Sequence, residues 1–143
     1  MKNYWKAPLS ILAGILFVLA ARTPARAQII GQVKANINHT FMIGDKTLPP
    51  GAYTFRMESD AQAMTVQTQK GDNVAQFEVR QTRANHTPRH TELVFRKFGN
   101  TEFLSKIFES GSRDGAELTE TGKQEARMVS SGQHAIEHTE EQQ

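Results

Sequence analysis

Cysteine is absent from all 143 residues, which excludes a disulfide framework, a thiol nucleophile, a cysteine-ligated zinc site and a lipid-modified cysteine. Tryptophan occurs once, as Trp5. Anions are missing from the first 27 residues, which hold Lys2, Lys6, Arg22 and Arg26. Taking those four cations from the total of 17 leaves 13 against 15 anions over Gln28 to Gln143, so the net +2 of the whole chain becomes −2. Composition therefore excludes a basic nucleic-acid footprint. Stability has to come from one ordinary core, and the 116 residues after Ala27 suffice for one domain but not for two.

What is present begins with an export pattern. Lys2 and Lys6 precede an apolar run from Leu9 to Ala21, Pro24 interrupts any helix, and Ala25-Arg26-Ala27 places small residues where a signal peptidase reads them. The run of 13 residues is short of the roughly 20 that span a bilayer as a helix. The expectation is a signal peptide over 1–27, cleavage before Gln28, and a secreted or periplasmic protein with no integral membrane segment afterwards. A small outer-membrane barrel would need about eight strands of 9 to 11 residues, more than this length supplies.

Period-two alternation dominates the next ninety residues. Val33, Ala35, Ile37, His39, Phe41 and Ile43 alternate with polar positions and predict one long strand with a single buried face. Gly44-Asp45-Lys46 and Leu48-Pro49-Pro50-Gly51 read as a turn-rich connection. Tyr53-Phe55-Met57, Met64-Val66 and Ala75-Phe77-Val79 mark three more strands. Gln81 to Thr91 lacks periodicity and reads as the longest loop; Glu92–Phe98 and Glu102–Glu109 flank Gly99-Asn100 as a hairpin that sets Lys97 opposite Glu102 and Phe95 opposite Leu104. Gly111 to Gly115 stops the pattern, a short helix is expected near Lys123 to Val129, and the last dozen residues are polar enough to predict disorder. The fold class is all-β: an antiparallel meander of about six strands forming a small barrel or sandwich over 28–118, with a short helix and polar disordered tail over 119–143.

Phe41-Met42-Ile43-Gly44-Asp45-Lys46-Thr47-Leu48-Pro49-Pro50-Gly51-Ala52-Tyr53, together with Phe103 to Phe108 and Gly115 to Leu118, resembles a group of small uncharacterised exported β-rich proteins of soil bacteria, acidobacteria especially. The resemblance implies export and a β fold and brings no catalytic residues with it. Pro50 stands where that group carries a small residue such as alanine, which stiffens the turn.

Chemistry-bearing residues form no recognisable constellation along the chain. His86/His90 and His134/His138 are spaced four apart, the helical spacing of a zinc pair. Pro88 interrupts the first pair, and the second lies in the tail with no evident third ligand. His39 reads as a core or rim histidine, since no acidic partner can be assigned to it from sequence. Ser105, Ser110 and Ser112 sit outside any nucleophile elbow, and Asp45, Asp60, Asp72 and Asp114 fall in turns. No phosphate loop, dinucleotide fingerprint or calcium loop is present. The expectation is a non-catalytic domain without cofactor or metal that binds a protein partner, itself or an envelope component; the alternatives are a barrel holding an apolar ligand and an enzyme of unrecognised type. The candidate interaction face is Val94, Phe98, Phe103 and Ile107, because Glu102 to Glu109 is apolar on both faces and one of them needs a cover.

Overall fold

The computed structural model describes residues 31–57 and 62–143. The expected signal segment, its cleavage point, Ile29, Ile30 and Asp60 lie outside them. The described residues are mostly strand with one helix, as the alternation implies. They form ten strands rather than six, in one open mixed sheet rather than a closed barrel or a two-sheet sandwich.

The first long alternation is two strands, β1 (Gln32–Ile37) and β2 (Phe41–Ile43), separated by a corner at Asn38-His39-Thr40. The inward phase survives the corner, so Val33, Ala35, Ile37, Phe41 and Ile43 all enter one core. β3 (Lys46–Leu48) folds back on β2 through Gly44-Asp45, with Gly44 at φ 54°, and β4 (Gly51–Met57) pairs with β1. β5 (Ala63–Thr68) and β6 (Asn73–Arg83) continue the meander. β7 (Thr91–Phe98) and β8 (Thr101–Phe108) form the expected hairpin, with Lys97 opposite Glu102 and Phe95 opposite Leu104. β9 (Asp114–Leu118) bridges β6 and β8; α1 (Lys123–Ser130) and β10 (Ile136–Gln142) follow. One edge of β8 is shared, with β2 in parallel at its beginning and β9 antiparallel at its end.

The segment from Phe41 to Tyr53 works as structure. The Tyr53 hydroxyl donates to the Pro49 carbonyl at 2.6 Å, closing the Pro-Pro-Gly step. Lys46 Nζ donates to the Val74 carbonyl, and the Asp45 carboxylate accepts the backbone N–H of Lys123 at the start of α1. The turn thereby orients both the sheet and the helix.

The sheet curls about a single core that takes side chains from β1 through β9. Phe41, Phe55, Phe95, Ile37, Met64, Leu93 and Ile107 are fully buried there, and each such side chain contributes about 1.5 to 3 kcal/mol.

The four residues expected to share one outer face do not share it. The ladder slips between Val94 and Phe95, because β8 carries the extra residue Ser105. A one-residue slip exchanges faces. Ile107 consequently turns into the main core, Phe98 and Phe103 pack with Met42 beneath Met128 of α1, and Val94 joins Ala84 and Phe108. All four are buried. The cover is intramolecular: Met128 supplies part of it, whereas Leu118 enters the main core and Val129 stays 56% exposed.

The polar tail is ordered as β10. It pairs with β7 over seven residues, from Ile136 opposite Lys97 to Gln142 opposite Thr91. Its outward Glu137 meets Lys106 at 2.8 Å. An apolar strand such as β7 is a poor edge, since unpaired backbone invites other chains, and a charged strand laid over it removes that liability. Ending the chain at Ser130 is therefore expected to lower the melting temperature by more than about 4 °C, the equivalent of about 1 kcal/mol at this size. Thermal unfolding followed by circular dichroism checks this, and an unchanged midpoint would show that β10 contributes nothing.

Candidate functional site

The alternation of β10 sets Ile136, His138, Glu140 and Gln142 on the concave side, and pairing brings His138 opposite Phe95 and Glu140 opposite Leu93. Both partners point into the core, so the two polar side chains stand at its rim. Phe95 and Leu104 fix the phase of their own strands, which places Lys97 and Glu102 at the same rim. His39 completes the group from the β1–β2 corner, packed edge-on against Phe95 at 5.2 Å between ring centroids.

These five side chains form one connected cluster. His39 Nε2 lies 2.9 Å from Glu102 Oε2, and His39 Nδ1 lies 3.4 Å from Glu140 Oε1. His138 Nδ1 is 3.6 Å from Glu102 Oε2, and its Nε2 is 4.0 Å from Glu140 Oε1. Lys97 Nζ donates to the other Glu102 oxygen, Oε1, at 2.8 Å. Burial pushes the Glu102 carboxyl up, but the Lys97 hydrogen bond and the electrostatic pull of the neighbouring His39, Lys97 and His138 side chains together outweigh it. Its pKa ends below the usual carboxylate value. The Glu102 side chain is only 9% exposed, and Glu102 Oε2 and His39 Nε2 are buried without a well-directed hydrogen bond. His39, Glu102 and Glu140 bring one possible ligand atom each within 4.8 Å of the others, a set able to hold a metal ion.

Beside this rim the curled sheet stays open. Between the outer edges of β1 and β10 lies a cleft of about 810 Å³, bordered by Lys34, Asn36, Asn38, Tyr53, Glu140 and Gln142. The Asn36 backbone N–H points into it and is met by a side chain, donating to Gln142 Oε1 at 2.8 Å. Burial raises the Tyr53 phenol above its ordinary value.

The other sequence candidates take structural places. His86 Nε2 meets Glu92 Oε1 at 2.9 Å, and His90 and His134 are exposed. Ser105 is the buried bulge residue, the Ser110 hydroxyl donates to the Arg89 carbonyl at 2.7 Å, and Ser112 accepts the Asp114 N–H at 3.1 Å. Neither histidine pair works as a pair: His138 leaves His134 and meets Glu102 and Glu140, the same two carboxylates that His39, 99 positions away, approaches. Sequence reasoning missed the cluster because its members come from four segments. The available signal was the run Ile136-Glu137-His138-Thr139-Glu140, in which His and Glu two apart share one face of a strand.

Compared with known protein families, curated proteins and solved structures, the chain matches none. Among the described residues no helix is long and apolar enough to cross a membrane.

Proposed function

We propose that the protein is an exported, non-catalytic β domain that binds an extended segment of a partner protein between β1 and β10. The observation that carries this reading is the pair of strand edges facing one cleft, with the Asn36 N–H bonded to the Gln142 side chain where a neighbouring strand would supply a carbonyl. An added strand bonds through its main chain along such edges and gains specificity from pockets for alternate side chains. The polar lining suits an extended polypeptide better than a hydrocarbon ligand. Support for export comes from the charged start, the apolar run and the Ala-x-Ala step.

Proline at position 36 tests the reading, because it deletes an N–H that faces the cleft and takes no part in the β1–β4 ladder, a placement strands tolerate. Asn36→Pro is expected to melt within about 2 °C of the wild type yet lose partner capture from an envelope extract. In the wild-type complex, hydrogen exchange should slow at 32–37 and 136–142. A complex that leaves both segments exchanging as in the free protein would overturn the proposal.

A further inference from the structure

We infer that His39, Glu102, Glu140 and His138 form a binding site for one divalent transition-metal ion of the zinc type. The inference does not rest on strand binding, although Glu140 also borders that cleft, and concerns the rim of the core.

Geometry supports it first. One ligand atom from each of His39, Glu102 and Glu140 lies within 4.8 Å of the others, and His138 stands 3.6 Å from Glu102 and 4.0 Å from Glu140. A tetrahedral ion bonded at about 2.0 to 2.1 Å holds its ligands about 3.3 Å apart, so His39, Glu102 and Glu140 need only small side-chain adjustments to close around one centre, and His138, whose Nδ1 faces Glu102 and whose Nε2 faces Glu140, would turn its ring to bring one nitrogen in as the fourth ligand. A second observation points to a ligand: the Glu102 side chain is nine-tenths buried, and its Oε2 lies 2.9 Å from His39 Nε2 without hydrogen-bond geometry between the two.

Donor chemistry narrows the ion. Two imidazoles with two carboxylates suit Zn²⁺, Co²⁺, Ni²⁺ or Cu²⁺, whereas Mg²⁺ and Ca²⁺ prefer all-oxygen shells. Lys97 bonds Glu102 through Oε1, which leaves Oε2 to coordinate and fixes the carboxylate's orientation, as an outer partner of a metal ligand does. The two carboxylates and one ammonium leave the site one net negative charge with neutral imidazoles, favourable for a dication. Because His138 and Glu140 belong to β10 while His39 and Glu102 belong to the body of the sheet, a bound ion would pin β10 in place.

The test uses purified protein stripped with EDTA and titrated with Zn²⁺ by calorimetry. The expected result is one equivalent bound at micromolar or lower dissociation constant, a raised melting temperature, slower hydrogen exchange over 136–142, and the visible bands of tetrahedral cobalt when Co²⁺ replaces zinc. His39→Gln and His138→Gln should each weaken binding by about tenfold or more. Should His39→Gln fail to fold, His138→Gln and Glu140→Gln, both on the edge strand, carry the test. His86→Gln, His90→Gln and His134→Gln should leave the affinity unchanged. Two results would overturn the inference. One is the absence of saturable binding, which would make the cluster a histidine–carboxylate ion-pair network. The other is binding that survives His138→Gln and Glu140→Gln but is lost with the other histidines.

Discussion

Replacing Phe98 and Ile107 together by serine is expected to abolish the cooperative unfolding transition altogether. Ile107 has no exposed surface and lies in the main core, and Phe98 is 3% exposed in the outer cluster beneath α1. Phe98 also makes an edge-on contact with Phe103 at 5.8 Å between centroids. Truncating a buried isoleucine costs about 2 to 5 kcal/mol and a buried phenylalanine about 3 to 5. Because the two residues belong to separate clusters, their costs should add. The sum of about 5 to 10 kcal/mol matches the entire stability of an ordinary domain. Each new hydroxyl adds the cost of a polar group without an assigned partner. Urea denaturation followed by circular dichroism should show each single variant folded with a lower midpoint and the double variant without a native baseline. A folded double variant with an altered association state would instead mean that these side chains face another molecule.

That experiment turns on a feature alternation cannot reveal. Reading outward from Gly99-Asn100 gives the correct pairing as far as Phe95 and Leu104, because the turn sets the register and nothing intervenes. Ser105 then adds one residue to β8, so Ile107 arrives inside while Lys106 and Phe108 point outward. Bulges leave little trace in composition, and a segment that is apolar on both faces reads the same in either phase. β3 and β9 escaped notice for another reason. Each is short and borders Gly, Pro or Asp, where turn signals outweigh three to five residues of weak alternation. β10 is hidden by its polarity, which reads along the sequence as solvation. Its outer face meets water and Lys106, and its inner face carries His138 and Glu140 of the rim, so it has no apolar stripe to announce a strand. The core was legible because burial imposes alternation. The cluster was not, because contacts between His39, Glu102 and β10 depend on how far the sheet curls, and no local pattern encodes that.

Helix α1 should prove sensitive at a residue that touches no functional group. Gly122 precedes the helix with ordinary extended geometry (φ −62°, ψ 156°), so its importance is steric rather than conformational. A β-carbon there would lie 2.2 Å from the Gly44 carbonyl oxygen and 2.4 Å from its carbon. Both are backbone atoms of the β2–β3 turn and cannot swing aside as a side chain could. Gly122→Ala must therefore push the start of α1 off the turn, breaking the bond from the Lys123 N–H to the Asp45 carboxylate. The displacement also lifts Met128 from Met42, Phe98 and Phe103, and separates Arg96 from Glu125, which are 2.8 Å apart. Burial raises the Glu125 carboxyl above its ordinary value against the pull of Arg96, so the helix is held mainly by its apolar contacts and its seat on the turn. Overpacking of this kind costs about 3 kcal/mol, a fall in melting temperature of about 10 °C for a domain of this size. Gly71→Ala is the control. Its β-carbon would meet nothing within 4 Å, although φ there is +89°, so its cost should stay near the 1 to 2 kcal/mol of a left-handed backbone, roughly half as large. If Gly122→Ala melts no lower than Gly71→Ala, α1 is not seated on the β2–β3 turn, and the cover over Phe98 and Phe103 has to be found elsewhere.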